Sequence, residues 1–192
     1  ESQACAGAHN LTFAPDGRLL MSVENGDRAV YVWDTMMKSY SKLWCFAGSI
    51  SNAKVAWAPT GLHVAVGASD GDRGVVVFLE THEWTHAPVG HQTGIQALAW
   101  VSKSDLLYAT KGSFAVHHSS VDARAPVATP LSNAPTPYSL APDLERIRKE
   151  THDGVELVVH DIATDPVGGR VAVSFAYKDD VGHVYERMAI YL

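Results

Sequence analysis

A repeated unit of about 44 residues constrains this fold more than any other feature of the sequence. Each unit has an apolar run that ends near an aromatic residue, a turn, a second apolar run, a polar turn and a third run. Aligned where the first run ends, the units fall at Phe13, Trp57, Trp100 and Thr164, with spacings of 44, 43 and 64 residues. A fixed period in this range indicates supersecondary units that bury their apolar surface against one another.

The turn after the first run has a simple chemistry. Pro15–Gly17 in the first unit and Pro59–Gly61 in the second combine a proline, which presets φ, with a glycine, which tolerates positive φ. The fourth unit has Pro166 and Gly168 in the same place, whereas the third unit lacks this turn. Short apolar runs between such turns predict three or four antiparallel strands per unit. The fixed period then selects a β-propeller among the all-β folds.

We therefore predict that the chain, 1–192, is one β-propeller of about four blades. The blades are predicted at 8–48, 49–90, 91–130 and 155–192, with a long polar, proline-rich loop over 131–154. Most rings have more blades than this, so we expect an incomplete ring, completed by sequence beyond these 192 residues or by partners. The spacing of 64 residues before the last unit has an alternative explanation, which is that the sequence lacks some residues of the protein between 122 and 157.

Several residues resemble the WD-repeat family. Trp33-Asp34 closes the third run of the first unit as the family's Trp-Asp does, and Gly90-His91 precedes the third unit as its Gly-His does. The last unit, His160–Val173, is similar to a late blade of a WD-repeat nucleoporin, with Thr164 where a Trp is expected. Turn and strand-end residues are interpreted as structural blade anchors: Phe13, Pro15, Gly17, Trp33, Asp34, Trp57, Pro59, Gly61, His91, Trp100, Pro166 and Gly168.

The resemblance implies a non-catalytic scaffold of the nuclear pore complex that displays its blade loops to proteins at the nuclear envelope. The implied partners are a membrane-anchored nucleoporin and other pore components, so that the membrane is reached only through a partner. No catalytic residue, metal or cofactor is expected. The alternative is another WD-repeat adaptor, such as a ubiquitin-ligase substrate receptor or an assembly factor, in the cytoplasm or the nucleus.

Composition narrows the partner classes. The chain has 15 basic and 21 acidic residues, a net charge of −6, which argues against direct binding of nucleic acid through its phosphates. No run of about 18 apolar residues is present, so no membrane-spanning helix is predicted within the sequence. The two cysteines, Cys5 and Cys45, are too few for a disulfide framework and favour a reducing compartment.

Two motifs have a catalytic pattern. His82–His86 satisfies H-E-x-x-H, which binds zinc only when a helix places both histidines on one face. An apolar run precedes it and Pro88 follows it, so the segment is predicted as strand, turn and strand, with the two histidines roughly 13 Å apart. Gly67–Gly71 satisfies G-x-S-x-G around Ser69, but an apolar β-type run follows it instead of a helix. Zinc and serine hydrolases are therefore remote alternatives.

The remaining polar and aromatic residues have structural interpretations. Trp33, Trp57 and Trp100 are expected to fill the space between blades, and Asp34 to stabilise its turn by pairing with a His or Ser hydroxyl. The adjacent His117 and His118 are expected to point to opposite faces of one strand. Outside these positions, Trp44 and Trp84 are the candidate partner contacts.

Overall fold

A computed structural model of the chain describes eleven ranges: 8–24, 29–44, 53–68, 75–79, 85–89, 94–113, 116–121, 129–130, 157–165, 170–178 and 183–191. All regular structure in these ranges is β-strand, and no described segment forms a helix long and apolar enough to cross a membrane. The loop predicted over 131–154 lies outside the described residues.

The strands form four antiparallel sheets, each built from consecutive strands and called here blades 1 to 4. Blade 1 contains β1 (Ala8–Phe13), β2 (Leu19–Glu24), β3 (Ala29–Asp34) and β4 (Ser39–Trp44). Blade 2 contains β5 (Lys54–Trp57), β6 (His63–Gly67), β7 (Val75–Leu79) and β8 (Thr85–Val89). Blade 3 contains β9 (Ile95–Trp100), β10 (Asp105–Thr110), β11 (Val116–Ser120) and β12 (Thr129–Pro130). Blade 4 contains β13 (Leu157–Thr164), β14 (Val171–Lys178) and β15 (Val184–Tyr191).

The blades pack side by side in chain order. Their first strands contact one another in the series β1, β5, β9, β13, so these strands line the centre of the arrangement. Blade 1 and blade 4 lie at the two ends of the series and leave large apolar side chains exposed there. The prediction of an all-β fold with four blades of an incomplete ring is therefore confirmed.

Burial on both faces explains why the second strands of the middle blades, β6 and β10, are almost continuously apolar. On β10, Leu106 and Tyr108 pack towards blade 2, whereas Leu107 and Ala109 pack towards blade 4. On β6, Val64 and Val66 join the core shared with blade 1, and Ala65 joins the core shared with blade 3. Alternate side chains of such a strand enter two different cores, so the sequence has no polar face.

Three separate cores connect the four blades, one at each blade boundary. The largest side chains that are fully buried in them are Met21, Ile95, Leu106, Leu107 and Phe175. Hydrogen bonds also cross each boundary. Asn10 Nδ2 donates to Ala53 O at 3.1 Å, Ile95 N to Ala68 O at 2.9 Å, and Val159 N to Ser113 O at 3.0 Å.

Blades 2 and 3 approach each other closely at Gly67. A Cβ atom on this glycine would lie 2.8 Å from both Cβ and Cγ2 of Ile95, on β9. The Ile95 side chain could not remain in place at that distance. Its close approach therefore requires glycine at the end of β6.

Candidate functional site

A cavity of about 400 Å³ lies where the first strands of the four blades end. Its volume falls within the usual range of roughly 300–1,000 Å³ for ligand pockets. Every blade contributes to its wall, so the site exists only when the blades are packed together. The lining residues are Pro15, Ala56, Trp57, Pro59, Leu98, Ala99, Trp100, Ile162, Ala163, Thr164 and Asp165.

The wall of this central cavity is mainly apolar, with one carboxylate at its edge. Asp165 follows the last residue of β13, and its backbone N–H donates to the carbonyl oxygen of Arg170 at 2.9 Å, which closes the base of the turn. Among the lining residues that the structure describes, none is a His, Cys, Ser or Lys. The arrangement can therefore bind an apolar group that carries a positive charge.

Hydrogen bonds between successive blades form part of the cavity wall. The indole Nε1 of Trp57 donates to the carbonyl oxygen of Thr12 at 3.1 Å, and that of Trp100 to Ala56 at 2.9 Å. In blade 4 the Thr164 hydroxyl donates to the carbonyl oxygen of Trp100 at 2.8 Å. Each anchor thus binds the backbone of the preceding blade at almost the same place.

These bonds were not part of the sequence prediction, which assigned the tryptophans a packing role alone. A signal was available, because a buried indole N–H nearly always requires an acceptor. The repeat spacing placed each anchor one blade away from its equivalent. The need of the indole N–H for an acceptor, taken together with the repeat spacing, would have indicated a hydrogen bond from each tryptophan to the neighbouring blade.

Phe13 occupies the same position in blade 1, where none of the described blades packs against it, and 57% of its surface is exposed. Trp33 is not equivalent to Trp57 and Trp100, because it lies on β3, the third strand of its blade. Its indole donates to the Ser22 hydroxyl at 2.8 Å within blade 1, and its ring lies on the face of blade 1 against which no described blade packs. Within the described blades, the expectation that all three tryptophans fill spaces between blades is therefore wrong for Trp33.

The predicted Pro-x-Gly turns connect the first and second strands of blades 1 and 2. Gly17 and Gly61 have φ values of +75° and +73°, the left-handed region that glycine adopts without strain. Their N–H groups donate to Ala14 O at 2.9 Å and to Ala58 O at 2.8 Å. Pro166 and Gly168 of the fourth blade lie outside the described residues.

Blade 3 builds the corresponding turn from side-chain hydrogen bonds. The Ser102 hydroxyl accepts the N–H groups of Ser104 and Asp105, each at 3.1 Å, and donates to the Asp105 carboxylate at 2.6 Å. His118 Nε2 lies 3.0 Å from the same carboxylate. Burial alone would raise the pKa of Asp105, but hydrogen bonds from Ser102, His118 and Ser104 outweigh it and hold the pKa below its usual value.

Asp34 stabilises a turn, as predicted, but through different partners. Its carboxylate accepts the N–H groups of Met36 at 3.0 Å and Met37 at 2.8 Å, and it pairs with the Arg18 guanidinium at 2.8 Å. The Met37 N–H and the Arg18 side chain lower the pKa of Asp34. The expected His or Ser partner is wrong, because the turn after β3 brings the carboxylate to the turn that carries Arg18.

His117 and His118 point to opposite faces of β11, as expected. The His117 ring stacks on Tyr108 with centroids 5.2 Å apart, whereas His118 binds Asp105. A third histidine, His63 on β6, was not singled out from the sequence. It is only 3% exposed, lies 5.9 Å from the Trp100 ring, and neither ring nitrogen has a partner among the described residues.

The two catalytic patterns lie mostly outside the described residues, which exclude His82, Trp84 and Ser69. His86 lies on β8, and Gly67 ends β6, which pairs with β7 in an antiparallel hairpin. Strands therefore flank both motifs on the described sides, where a zinc peptidase or a serine hydrolase would require a helix. Within the described ranges no three potential ligands are grouped to hold a metal ion.

Three further predicted positions have no described side chain. His91 lies outside the described residues, as does Trp84, and Trp44 is described only as the last residue of β4. The assignment of Trp44 and Trp84 as partner contacts stays a prediction.

The arrangement of the blades is similar to that of solved propellers. The Myceliophteria thermophila Cps50 (Swd1) β-propeller domain has a TM-score of 0.57 and 12% identity, over 94% of this chain and 55% of that one. A chain of the mitotic checkpoint complex has a TM-score of 0.53 and 14% identity, over 96% of this chain and 51% of that one. A chain of Kuenenia stuttgartiensis hydrazine synthase has a TM-score of 0.57 and 12% identity, over 98% and 51%.

The chain thus spans about half the length of the solved chains it matches. No protein-family model and no curated protein matches the sequence. Identities of 12–14% show the fold alone. The repeat period, the four antiparallel blades and these structural neighbours agree, and the chain has the fold of a β-propeller, of which the described residues form four blades that do not close into a ring.

Proposed function

We propose that this chain is a non-catalytic protein-interaction scaffold that binds a partner segment in the central cavity. The observation that carries the proposal is the cavity itself, an apolar site of about 400 Å³ to which all four blades contribute. Its wall is held by backbone and indole hydrogen bonds between blades and needs little reordering when a partner binds. A preformed site of this kind reduces the entropic cost of association.

The chemistry of the wall defines the partner segment. Trp57, Leu98 and Ile162 provide apolar surface, and Asp165 provides a negative charge at the edge. A segment with an apolar side chain next to a Lys or Arg would match both features. Opposite charge at the edge sets orientation and association rate more than total affinity.

Replacement of Asp165 by Lys tests this role. We expect proteins that co-purify with the tagged chain to be lost with Asp165→Lys and retained with Asp16→Lys. The control changes a carboxylate on the exposed β1–β2 turn, outside the cavity lining. Equal thermal stability of the two variants would separate loss of binding from loss of folding. Retention of every partner by Asp165→Lys would contradict the proposal.

We further propose that this scaffold is a component of the nuclear pore. His160–Val173 resembles a late blade of aladin, a WD-repeat nucleoporin, in its His, its Asp-Pro-x-Gly turn and its Arg-x-Ala-Val strand. The departure at Thr164 keeps the contact between blades, because the hydroxyl replaces the indole as hydrogen-bond donor. The proposed partners are a membrane-anchored nucleoporin and other pore components.

Imaging of the tagged protein tests the location. A punctate signal at the nuclear rim, with membrane nucleoporins among the co-purifying proteins, would support the pore assignment. A diffuse signal in the cytoplasm or nucleus would support the alternative, an adaptor such as a ubiquitin-ligase substrate receptor or an assembly factor. The fold is equally compatible with both, since a β-propeller offers the same kind of rigid surface to unrelated partners.

A further inference from the structure

The boundary between blades 2 and 3 encloses two polar side chains that have no hydrogen-bond partner among the described residues. His63 on β6 is 3% exposed, and both of its ring nitrogens are unpartnered. Ser119 on β11 is fully buried, and its hydroxyl is unpartnered as well. A buried polar group without a partner loses the hydrogen bonds that water would give it. Each of these two side chains therefore weakens the closed boundary.

Both side chains face the same core. His63 alternates along β6 with Ala65, which packs in the core between blades 2 and 3. Ser119 is in register with Leu106, Leu106 is in register with Trp100, and these two apolar residues belong to that core. The His63 and Trp100 rings lie 5.9 Å apart, measured between centroids. The two unpartnered groups therefore lie at one boundary.

No negative charge on the described strands faces His63. The titratable side chains that face this boundary, or lie on the turn at its edge, are Lys54 on β5, Tyr108 on β10, His117 on β11 and Lys103 on the turn after β9. None of these groups is an anion between pH 5 and pH 8, roughly the range in which histidine titrates. A proton on His63 would therefore have no counter-charge on the strands that the structure describes.

A second histidine with a buried side chain shows the contrast. His118 is in register with Leu107 and faces blade 4, and its Nε2 lies 3.0 Å from the Asp105 carboxylate, although its Nδ1 is unpartnered. A proton on His118 would lie next to a negative charge, whereas a proton on His63 would lie beside an indole ring. The face of Trp100 can attract a cation, but it cannot accept the hydrogen bonds of two N–H groups.

Protonation of His63 and closure of the boundary therefore oppose each other. Burial lowers the pKa of His63, because the closed boundary favours the neutral ring. When the boundary opens, water reaches both ring nitrogens and the ring regains its ordinary affinity for protons. Acid thus shifts the population towards the open form. The same opening hydrates the Ser119 hydroxyl, which also favours it.

We propose that His63 is a pH-sensitive switch that opens the boundary between blades 2 and 3 in mild acid, while the other two boundaries stay closed. Of the polar residues that the structure describes as buried, His63 alone titrates near neutral pH. Trp100 lies against His63, binds Ala56 across the same boundary and lines the central cavity, so that opening removes one wall of the cavity. The switch itself does not depend on the proposed function.

The test compares two indole groups that are chemically alike. The Nε1–H of Trp100 donates to Ala56 across the boundary between blades 2 and 3, and that of Trp57 donates to Thr12 across the boundary between blades 1 and 2. Hydrogen exchange of both groups, followed by NMR on the purified chain, reports how often each boundary opens. The direct effect of pH on indole exchange is common to both, so it cancels in the ratio of their protection factors.

We expect the protection of Trp100 relative to Trp57 to fall about tenfold between about pH 7.5 and about pH 5, because a proton gained on opening contributes up to about a factor of ten per pH unit. In His63→Leu the ratio should not depend on pH. His118→Gln is the matched control, since it removes a histidine from the opposite face of blade 3, and the fall should persist in it. Ser119→Ala should raise the protection of Trp100 at both pH values and keep the fall.

Three results would overturn the proposal. A ratio that is independent of pH in the wild type would show that acid does not open this boundary. An equal loss of protection at both indoles would show unfolding of the whole chain instead of one boundary. A fall that persists without His63 would assign the response to another group. If His63→Leu does not fold, His63→Gln takes its place, because its side chain is also uncharged at every pH.

Discussion

The indole Nε1 of Trp100 donates a hydrogen bond of 2.9 Å to the carbonyl oxygen of Ala56 in the preceding blade. Trp57 repeats the contact one blade earlier, with Thr12, and Thr164 approximates it one blade later, with Trp100. The same repeat that spaces the anchors along the sequence therefore also joins neighbouring blades.

Replacement of Trp100 by Phe should lower the free energy of unfolding by about 1–2 kcal/mol, because the Ala56 carbonyl loses its partner across the blade boundary. Chemical denaturation monitored by circular dichroism measures the change. Trp33→Phe is the control, since the Trp33 indole binds Ser22 within its own blade and its ring is 39% exposed. An equal loss in both variants would contradict a special role for the contact between blades.

Gly67→Ala should destabilise the boundary between blades 2 and 3 by about 1–3 kcal/mol, because the added methyl group overlaps Ile95. In an Ile95→Ala background the cost should fall in part, since the Cγ atoms are removed while the Ile95 Cβ remains. The control is Gly112→Ala, whose Cβ would meet nothing within 4 Å but whose φ of +71° makes it strained. The cost of Gly112→Ala should be the same with or without Ile95→Ala. If the cost of Gly67→Ala were also unchanged by Ile95→Ala, the steric explanation would be refuted.

His63 should make the protein less stable in mild acid. Burial lowers the pKa of His63 below its usual 6.5, so between these two values the unfolded chain binds a proton that the folded chain does not. The contribution of the neutral His63 ring to the free energy of unfolding is complete above the pKa of the unfolded chain. It is lost as pH falls towards the pKa of the folded chain, and the free energy of unfolding then decreases by up to about 1.4 kcal/mol per pH unit.

The measurement is the free energy of unfolding of wild type and of His63→Leu between about pH 7.5 and about pH 5. These pH values lie on either side of the ordinary pKa of histidine, about 6.5. The wild-type curve should descend more steeply than that of the variant below about pH 6.5, where free histidine becomes protonated. Parallel curves would show that the buried ring does not couple folding to protonation.

Ser102→Ala should cost about 1–2 kcal/mol, because the N–H groups of Ser104 and Asp105 lose their acceptor in the third-blade turn. Lys103→Ala, at the exposed position next to it, is expected to change stability little. Thermal unfolding of both variants provides the comparison. A neutral Ser102→Ala would mean that the turn is held by backbone bonds, such as that from Val101 N to Asp105 O at 2.8 Å, alone.

Much of the architecture follows from local chemistry and could be predicted. The Pro-x-Gly turns at Pro15–Gly17 and Pro59–Gly61 require a backbone conformation that only glycine adopts easily, so their presence marks strand ends. The third-blade turn could not be predicted in the same way. Its stability comes from hydroxyl and carboxylate groups whose mutual geometry depends on where His118 on β11 lies.

The central cavity could not be predicted from the sequence. Its lining comes from residues more than a hundred positions apart, such as Pro15 and Asp165, and no local pattern relates them. The partner of Asp34 was likewise set by the meeting of two turns, one after β1 and one after β3. Contacts of this kind depend on the relative position of whole strands and sheets.

By itself, the sequence determined the repeat period, the β-structure and the sharp turns, because backbone sterics, turn residues and short apolar runs act over a few residues. Tertiary structure alone decided which acceptor each indole finds, why Gly67 must lack a side chain, and which faces stay uncovered. The physical reason is that burial and hydrogen bonding across a blade boundary depend on the neighbouring sheet. Phe13 and Met188 stay exposed because none of the four described blades packs against them.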